Sequence, residues 1–436
     1  MNLPNDSALM GTELQRQIAD AGPAIEHWLR EQWELHDAPF YGSVDMRDGG
    51  YKLAPVDINL FPGGFNNLNP QSDANCLPAI LATIERISPG SRKLLVVPEN
   101  HTRNTGYVEN VIALQAMLTR AGAEVRVGSS DPGVTAATRI EAKNGTLMLE
   151  PLRRNGNRIG VADFEPSVVL LNNDLSGGVP ELLRNLDQPD IPPLYAGWTT
   201  RRKSTHFGIY EGLARDISVR IGMDPWFIDA YFTRCGEINF HESTGQECLA
   251  DHVSGLLTKI RAKYKEHGIG KEPFIIVKAD AGTYGMAVMT VKDPAEVWSL
   301  NRKQRKKMEM AKGHAEVHEV IVQEGVYTAD VVESNAAEPV IYMVDKYVIG
   351  GYYRVSPGRG QDENLNVPGA YFVTAAFDHS CDAVSPGDVR PSNLFHLYGL
   401  IARIALVATA IEIERAGKAI EGGAAAGSSR ASKAPE

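Results

Sequence analysis

Apolar and polar positions change period several times along the chain, and each change predicts an element. Over residues 13–35 apolar side chains recur at helical spacing, interrupted at Gly22-Pro23. Residues 51–60 read as a strand running into the glycine–asparagine turn Pro62-Gly63-Gly64-Phe65-Asn66-Asn67. Helix 78–87, strand 93–97, helix 107–121 and strand 124–127 follow in alternation, with Gly122 where a helix C′ residue is wanted. Strands separated by helices of this length predict a parallel sheet with right-handed crossovers. Arg154-Asn155-Gly156-Asn157 signals a hairpin, and 168–171 a buried strand.

Residues 213–267 are mainly helical in pattern, with a polar connection at 242–246. Strands dominate again over 274–373, apart from the basic helical stretch 300–314, which reads as the solvated face of a small lobe. The apolar run 394–413 contains Arg403 and Glu412 and repeats Leu397, Leu400, Ile401, Ile404 and Ile411 on one face. That pattern is a packed core helix, not a membrane span. Residues 417–436, rich in Ala, Gly, Ser and Lys, read as a disordered tail. The expected division is an N-terminal α/β region at 1–200, a helical connection at 201–270, a nucleotide-binding region at 271–416 and the tail at 417–436.

Composition narrows the function. With 436 residues, 43% apolar and 22% charged, the chain is globular and long enough for more than one core. A net charge of −10 argues against a nucleic-acid binder. The opening MNLPNDSALMG has neither a positive n-region nor an apolar h-region, so a secretory leader is not expected. Cys76, Cys235, Cys248 and Cys381 form no CxxC pair, which fits reduced thiols in the cytoplasm. A homo-oligomer stays open.

Candidate chemistry starts at Lys278. It ends the apolar strand FIIV and precedes Ala279-Asp280-Ala281-Gly282-Thr283-Tyr284-Gly285-Met286. Glycines let backbone N–H groups approach an anion, and the ammonium adds a point charge, so the turn is a candidate phosphate cradle. It is no Walker A loop, since no Gly-Lys-Ser/Thr follows, and a plain hairpin explains it as well. Downstream, a strand enters Gln323-Glu324-Gly325-Val326, where exposed backbone could pair with an adenine edge and either polar side chain reach a ribose hydroxyl. An ordinary strand end is the alternative. A hairpin across Asp345-Lys346 then leads to Arg354 and to Asp362-Glu363-Asn364-Leu365-Asn366, hard oxygen donors suited to Mg²⁺. A surface turn would have the same composition.

In this order, the lysine strand, Gln-Glu hinge, hairpin, arginine and Asn-Leu resemble the ATP-grasp nucleotide site of glutathione-synthetase-like ligases. Over nearly the whole length apart from the tail, the chain resembles a minor proteobacterial family of glutamate–cysteine ligases. The blocks that carry this are YKLAPVDINLFPGGFNNL, VVPENHTRNTGYVENV, LLNNDLSGG, GWTTRRKSTHF, VKADAGTYGMAVMTV and ENLNVPGAYFV. The resemblance implies an N-terminal parallel-sheet α/β domain followed by a two-lobed ATP-grasp domain. It also implies ATP-dependent joining of the glutamate side-chain carboxylate to cysteine through an acyl phosphate, with Mg²⁺ (or Mn²⁺) as cofactor and no membrane partner.

Residue by residue, it implies Lys278, Arg354 and Asn364 in catalysis, and Lys278, Gly282, Thr283, Gly285, Gln323, Glu324 and Val326 around ATP. Asp362, Glu363 and Asn364 would hold the metal, with Glu338 or Asp345 as the other register. Arg201, Arg202 and His206 are candidates for carboxylate recognition, since guanidinium groups grip carboxylates as forks. Asn66, Asn67, Asn100, Arg103, Asn172 and Asn173 follow expected strands, where ligands bind in open parallel sheets, although Asx turns explain each singly. Another amide ligase of the same fold and a non-catalytic ATP-binding regulator are the rival readings.

Overall fold

The structure, a computed structural model, describes residues 6–69, 73–100, 103–236, 238–281, 287–309, 316–375 and 394–431. Three sheets organise it. The predicted parallel sheet runs in the order Asp190–Ile191, Val168–Asn172, Lys93–Pro98, Glu124–Ser129 and Gly145–Pro151, with Thr138–Ala142 antiparallel at the edge. Helix Thr105–Arg120 makes the crossover from Lys93–Pro98 to Glu124–Ser129, while helix Asp73–Ile87 leads into the sheet from the central one. The crossover helix is capped by Asn104, whose side chain accepts from Tyr107 N–H, and Gly122 follows it with φ +93°.

A central antiparallel sheet joins the two ends of the chain. Its order is Tyr371–Thr374, Tyr347–Val355, Asn335–Val344, Tyr41–Asp48 and Leu53–Asn59. The first third of the sequence is therefore not closed on itself, since Asp45 registers with Val340. Strand Tyr41–Asp48 escapes a reading by alternation because both of its faces are covered. Val44 and Met46 meet the helical side, while Ser43, Asp45 and Arg47 are buried polar groups. One face of this sheet packs on helix Leu394–Ala431 and helices Asp6–Asp20, Gly22–Leu35 and Lys203–Arg220. On the other face Tyr41, Val340 and Tyr342 share a core with Ile80, Leu94 and Leu114 of the parallel layer.

The third sheet is small and antiparallel, in the order Phe232–Cys235, Val320–Glu324, Ile275–Ala279 and Val288–Val291. Helix Gln246–Glu266 covers it and closes a core of its own. Strand Phe232–Cys235 interrupts the region expected to be helical; four residues are too few to show a period. The last helix carries on to Ala431, through part of the segment read as a tail. Its alanine-rich sequence extends an existing helix without a new nucleation cost. Among the described residues no helix is long and apolar enough to cross a membrane.

Candidate active site

A cleft lies between the small sheet and the central sheet, lined by Lys278, Gln323, Glu338, Arg354, Asp45 and Asn364 among others. Lys278 is buried and its Nζ donates to Val56 O at 2.6 Å, 5.2 Å from the Phe207 ring. Burial lowers its pKa to about 8. Beside it Lys203 Nζ donates to both oxygens of Asp57, at 2.8 and 2.7 Å. Burial alone would push the Asp57 carboxyl up, but Lys203 and Lys278 hold it below the usual range. Two residues past Lys278, the Asp280 carboxylate accepts from Ser204 N–H and Oγ at 2.7 and 2.6 Å. The end of the lysine strand is thus bolted to the N-terminus of helix Lys203–Arg220, where a negative charge is favoured. Gly282, Thr283 and Gly285 lie outside the described residues.

The hinge divides its two polar side chains. Successive strand side chains face opposite ways, so those of Gln323 and Glu324 point to opposite sides of the small sheet. Gln323 is buried at the cleft, and its Nε2 has no partner among the described residues. The Glu324 carboxylate is engaged by Lys52 Nζ at 3.0 Å, Trp226 Nε1 at 3.1 Å and Tyr231 N–H at 3.2 Å. Of the two candidates for a ribose contact, only Gln323 keeps a donor to offer. Gly325 follows because a Cβ there would stand 2.1 Å from the Phe274 ring. Val326 also lines the cleft.

On the central sheet, strand register sets Arg354 opposite Glu338. Arg354 Nη1 donates to Glu338 Oε1 at 2.6 Å and to Asp45 Oδ2 at 3.2 Å, while Nη2 reaches Asp45 Oδ1 at 3.2 Å. Arg47 Nε holds the other Glu338 oxygen at 2.7 Å. Burial pushes the Asp45 carboxyl up despite Arg354. At Glu338 the two arginines overcome burial and hold the carboxyl below its usual range. Arg47 also ties down the loop that follows, donating to Gln361 O at 3.1 Å and Glu363 O at 2.7 Å.

That loop brings Asp362, Glu363 and Asn364 to the cleft with their side chains already engaged. Asp362 pairs with Lys292 at 2.5 Å, Glu363 with Arg359 at 3.0 Å, and Asn364 Oδ1 accepts from Asn366 N–H at 2.9 Å. Asp345 sits instead in the outer hairpin turn, 3.5 Å from Arg86. Glu338 is the alternative carboxylate that the cleft contains.

The remaining candidates stand elsewhere. Asn172 is consumed by the fold: Oδ1 accepts from Asn110 at 3.1 Å and Tyr107 at 3.2 Å, and Nδ2 donates to Pro62 O at 2.9 Å. Asn173 forms a turn with Leu175 N–H, 2.9 Å away. Asn66 borders a second cavity of ≈ 250 Å³ beside Glu109 and Met117, and Thr374 Oγ1 donates to Asn67 O at 3.0 Å. Asn100 and Arg103 are exposed beyond strand Lys93–Pro98.

Arg201 grips a carboxylate as a fork, but an internal one: Nε and Nη2 each meet Glu412 at 2.9 Å. Its Nη1 is buried with no partner among the described residues. His206 packs against the same Glu412 at 3.5 Å, and burial lowers its pKa. Arg202 is turned outward, its Nε 3.4 Å from Glu319. Asp45, Arg47, Lys52 and Asp57 were not candidates on sequence. The two-residue spacing of Asp45 and Arg47, which sets both charges on one strand face, was the available signal.

Buried cations and carboxylates thus face one another between two sheets of a mixed α/β fold. Residues 15–413 match the glutamate-cysteine ligase family (GshA), and the chain belongs to that family. A crystal structure from Methylobacillus flagellatus KT, provisionally named gamma-glutamylcysteine synthetase, is 50% identical with a TM-score of 0.87, covering 95% of this chain and 98% of its own. D-alanyl-alanine synthetase A from Vibrio cholerae O1 biovar eltor str. N16961 is 12% identical, TM-score 0.36, covering 72% and 81%. A glutathione synthetase-like effector (GSS30) from Globodera pallida is 9% identical, TM-score 0.36, covering 83% and 79%. No curated protein matches the chain.

Proposed function

We propose that the cleft between the small and central sheets is an ATP-grasp site that drives formation of γ-glutamylcysteine. The observation that carries this is the convergence of Lys278 and Gln323 from one sheet with Arg354, Glu338 and Asp45 from the other. The glutamate side-chain carboxylate attacks the γ-phosphorus of ATP, giving an acyl phosphate and ADP. The cysteine amine then adds to the acyl carbon, and the tetrahedral intermediate expels phosphate.

Phosphoryl transfer asks for positioning and charge neutralisation more than covalent help. Lys278, with its pKa lowered to about 8, gains a fully charged ammonium when an anionic phosphate arrives. Arg354 is held rigid by two carboxylates, so its guanidinium needs no reorganisation. Gln323 Nε2 gives the nucleotide a donor that the protein leaves unused, and the close packing of Gly325 on Phe274 shapes the hinge for the adenine. Free space in the cleft is ≈ 90 Å³, below the ~300 Å³ of ordinary ligand pockets. Nucleotide binding therefore requires the cleft to widen.

Glu338, Asp45, Asp362 and Asn364 supply hard oxygens to the cleft, but Arg47 and Arg354 hold the first two, Lys292 holds the third and Asn366 N–H engages the fourth, so they form no ready-made magnesium site. A magnesium ion here would be held largely by the ATP phosphates, whose charge it would neutralise. The discriminating assay is ADP release with glutamate plus cysteine, against γ-glutamylcysteine plus glycine. Turnover with the first pair is expected; turnover with the second alone would overturn the substrate assignment in favour of another amide ligase.

A further inference from the structure

The fold brings together two cysteines that the sequence separates by a polar connection. Cys235 ends the edge strand Phe232–Cys235 and is buried, while Cys248 stands exposed in the first turn of helix Gln246–Glu266. Their sulfurs are 3.5 Å apart. The described part of the intervening chain is tied by hydrogen bonds. Asn239 and Thr244 exchange backbone hydrogen bonds at 3.1 Å, and Asn239 Oδ1 accepts from His241 N–H at 2.9 Å and Glu242 N–H at 3.0 Å. Ile238 N–H donates to His318 O at 3.1 Å, with Ile238 and Phe240 buried in the small-sheet core. Loop closure is thus already accomplished in the dithiol state, and a disulfide at ~2.05 Å needs only a short approach of the two sulfurs.

We propose that Cys235 and Cys248 form an oxidisable dithiol that exchanges with small-molecule disulfides. The exposed Cys248 thiolate attacks one sulfur of RS–SR, forming a mixed disulfide and releasing one RS⁻. The buried Cys235 thiol, directed at the Cys248 sulfur, then attacks it, and its proton leaves with the second RS group as a thiol. Two electrons pass from the protein pair to the small disulfide, which leaves as two thiols.

The bond has a defined mechanical consequence. Cys235 is in register with Val320, at the start of the strand that ends in Gln323 and Glu324. The neighbouring Arg234 pairs with Glu319 and lies 3.6 Å from Asp280. A disulfide pins the covering helix to the strand beside the hinge. It bridges nothing across the cleft, so oxidation stiffens the small sheet without joining it to the central one.

The test is independent of the ligase reading. The reduced full-length chain is incubated with glutathione disulfide or cystine, quenched by alkylation, digested and analysed by mass spectrometry. The expected result is one peptide pair joining Cys235 to Cys248, lighter by two hydrogens than the reduced pair and restored by dithiothreitol. Cys248→Ser should take up no bond at Cys235, and Cys235→Ser (or Cys235→Ala, should the serine not fold) should stop at a mixed disulfide on Cys248. Wild-type protein that stays at the mixed disulfide, keeps both thiols alkylatable, or joins Cys248 to another cysteine would overturn the proposal.

Discussion

Lys52 Nζ lies 3.0 Å from Glu324 Oε2, and both side chains are fully buried. The lysine comes from the turn between strands Tyr41–Asp48 and Leu53–Asn59, so the pair fastens the central sheet to the back of the hinge. The ammonium also stands 4.2 Å from the Trp226 ring centroid, and Trp226 Nε1 shares the same carboxylate. Burial lowers the Lys52 pKa even with Glu324 beside it.

Breaking this pair strands a charge in the interior. Lys52→Met or Glu324→Gln should each cost about 3 kcal/mol in urea unfolding, and the double variant much less than the sum of the two. Each single variant should also raise KM for ATP, because the hinge loses its anchor. Additive losses in the cycle would show that the two residues act separately.

Gly325→Ala tests the close approach at the hinge. A methyl group 2.1 Å from the Phe274 ring has to displace it, so stability should fall by about 1–3 kcal/mol and KM for ATP should rise. Adding Phe274→Leu should restore part of both. If the second substitution makes matters worse, ring contact is not the reason for the glycine.

Asp330 predicts a pH dependence. Burial, reinforced by Asp48, raises its pKa to about 8, and its Oδ2 has no partner among the described residues. The folded value lies above the unfolded one, so the group's contribution is intact below about pH 4 and is lost as pH rises through about 8. Asp330→Asn stays uncharged. It should melt above the wild type at about pH 9 and show no such advantage at about pH 4, a gain on the order of 1 kcal/mol. An equal difference at both pH values would assign the effect to packing instead.

What the chain makes legible is what local chemistry decides. The parallel layer follows from helix and strand alternation punctuated by Gly122, and strands Ile275–Ala279, Val320–Glu324 and Asn335–Val344 follow from apolar runs ended by turns. Strand Tyr41–Asp48 is not legible, because its charged face is buried against partners some three hundred positions away, such as Glu338. For the same reason Arg201 reads as a ligand for substrate, although Glu412 already fills its fork. Residue type shows that a guanidinium wants a carboxylate; only the fold shows whose. The division of Gln323 from Glu324 is a case between these, since strand alternation demands it but only the folded partners show which carboxylate or amide is already engaged.

The central claim is that this cleft conducts phosphoryl transfer with Lys278 as its cation, and Lys278→Met tests it most directly. The lysine is desolvated with one backbone acceptor at 2.6 Å, and Lys203 keeps its own pair with Asp57 in the variant, so a methionine of similar volume should lower the melting temperature only a little. Ligation of glutamate to cysteine, followed by ADP release, should fall by about 10²–10³-fold, as expected for loss of a preorganised charge at a transition state. A folded Lys278→Met protein with an unaltered rate would contradict the account.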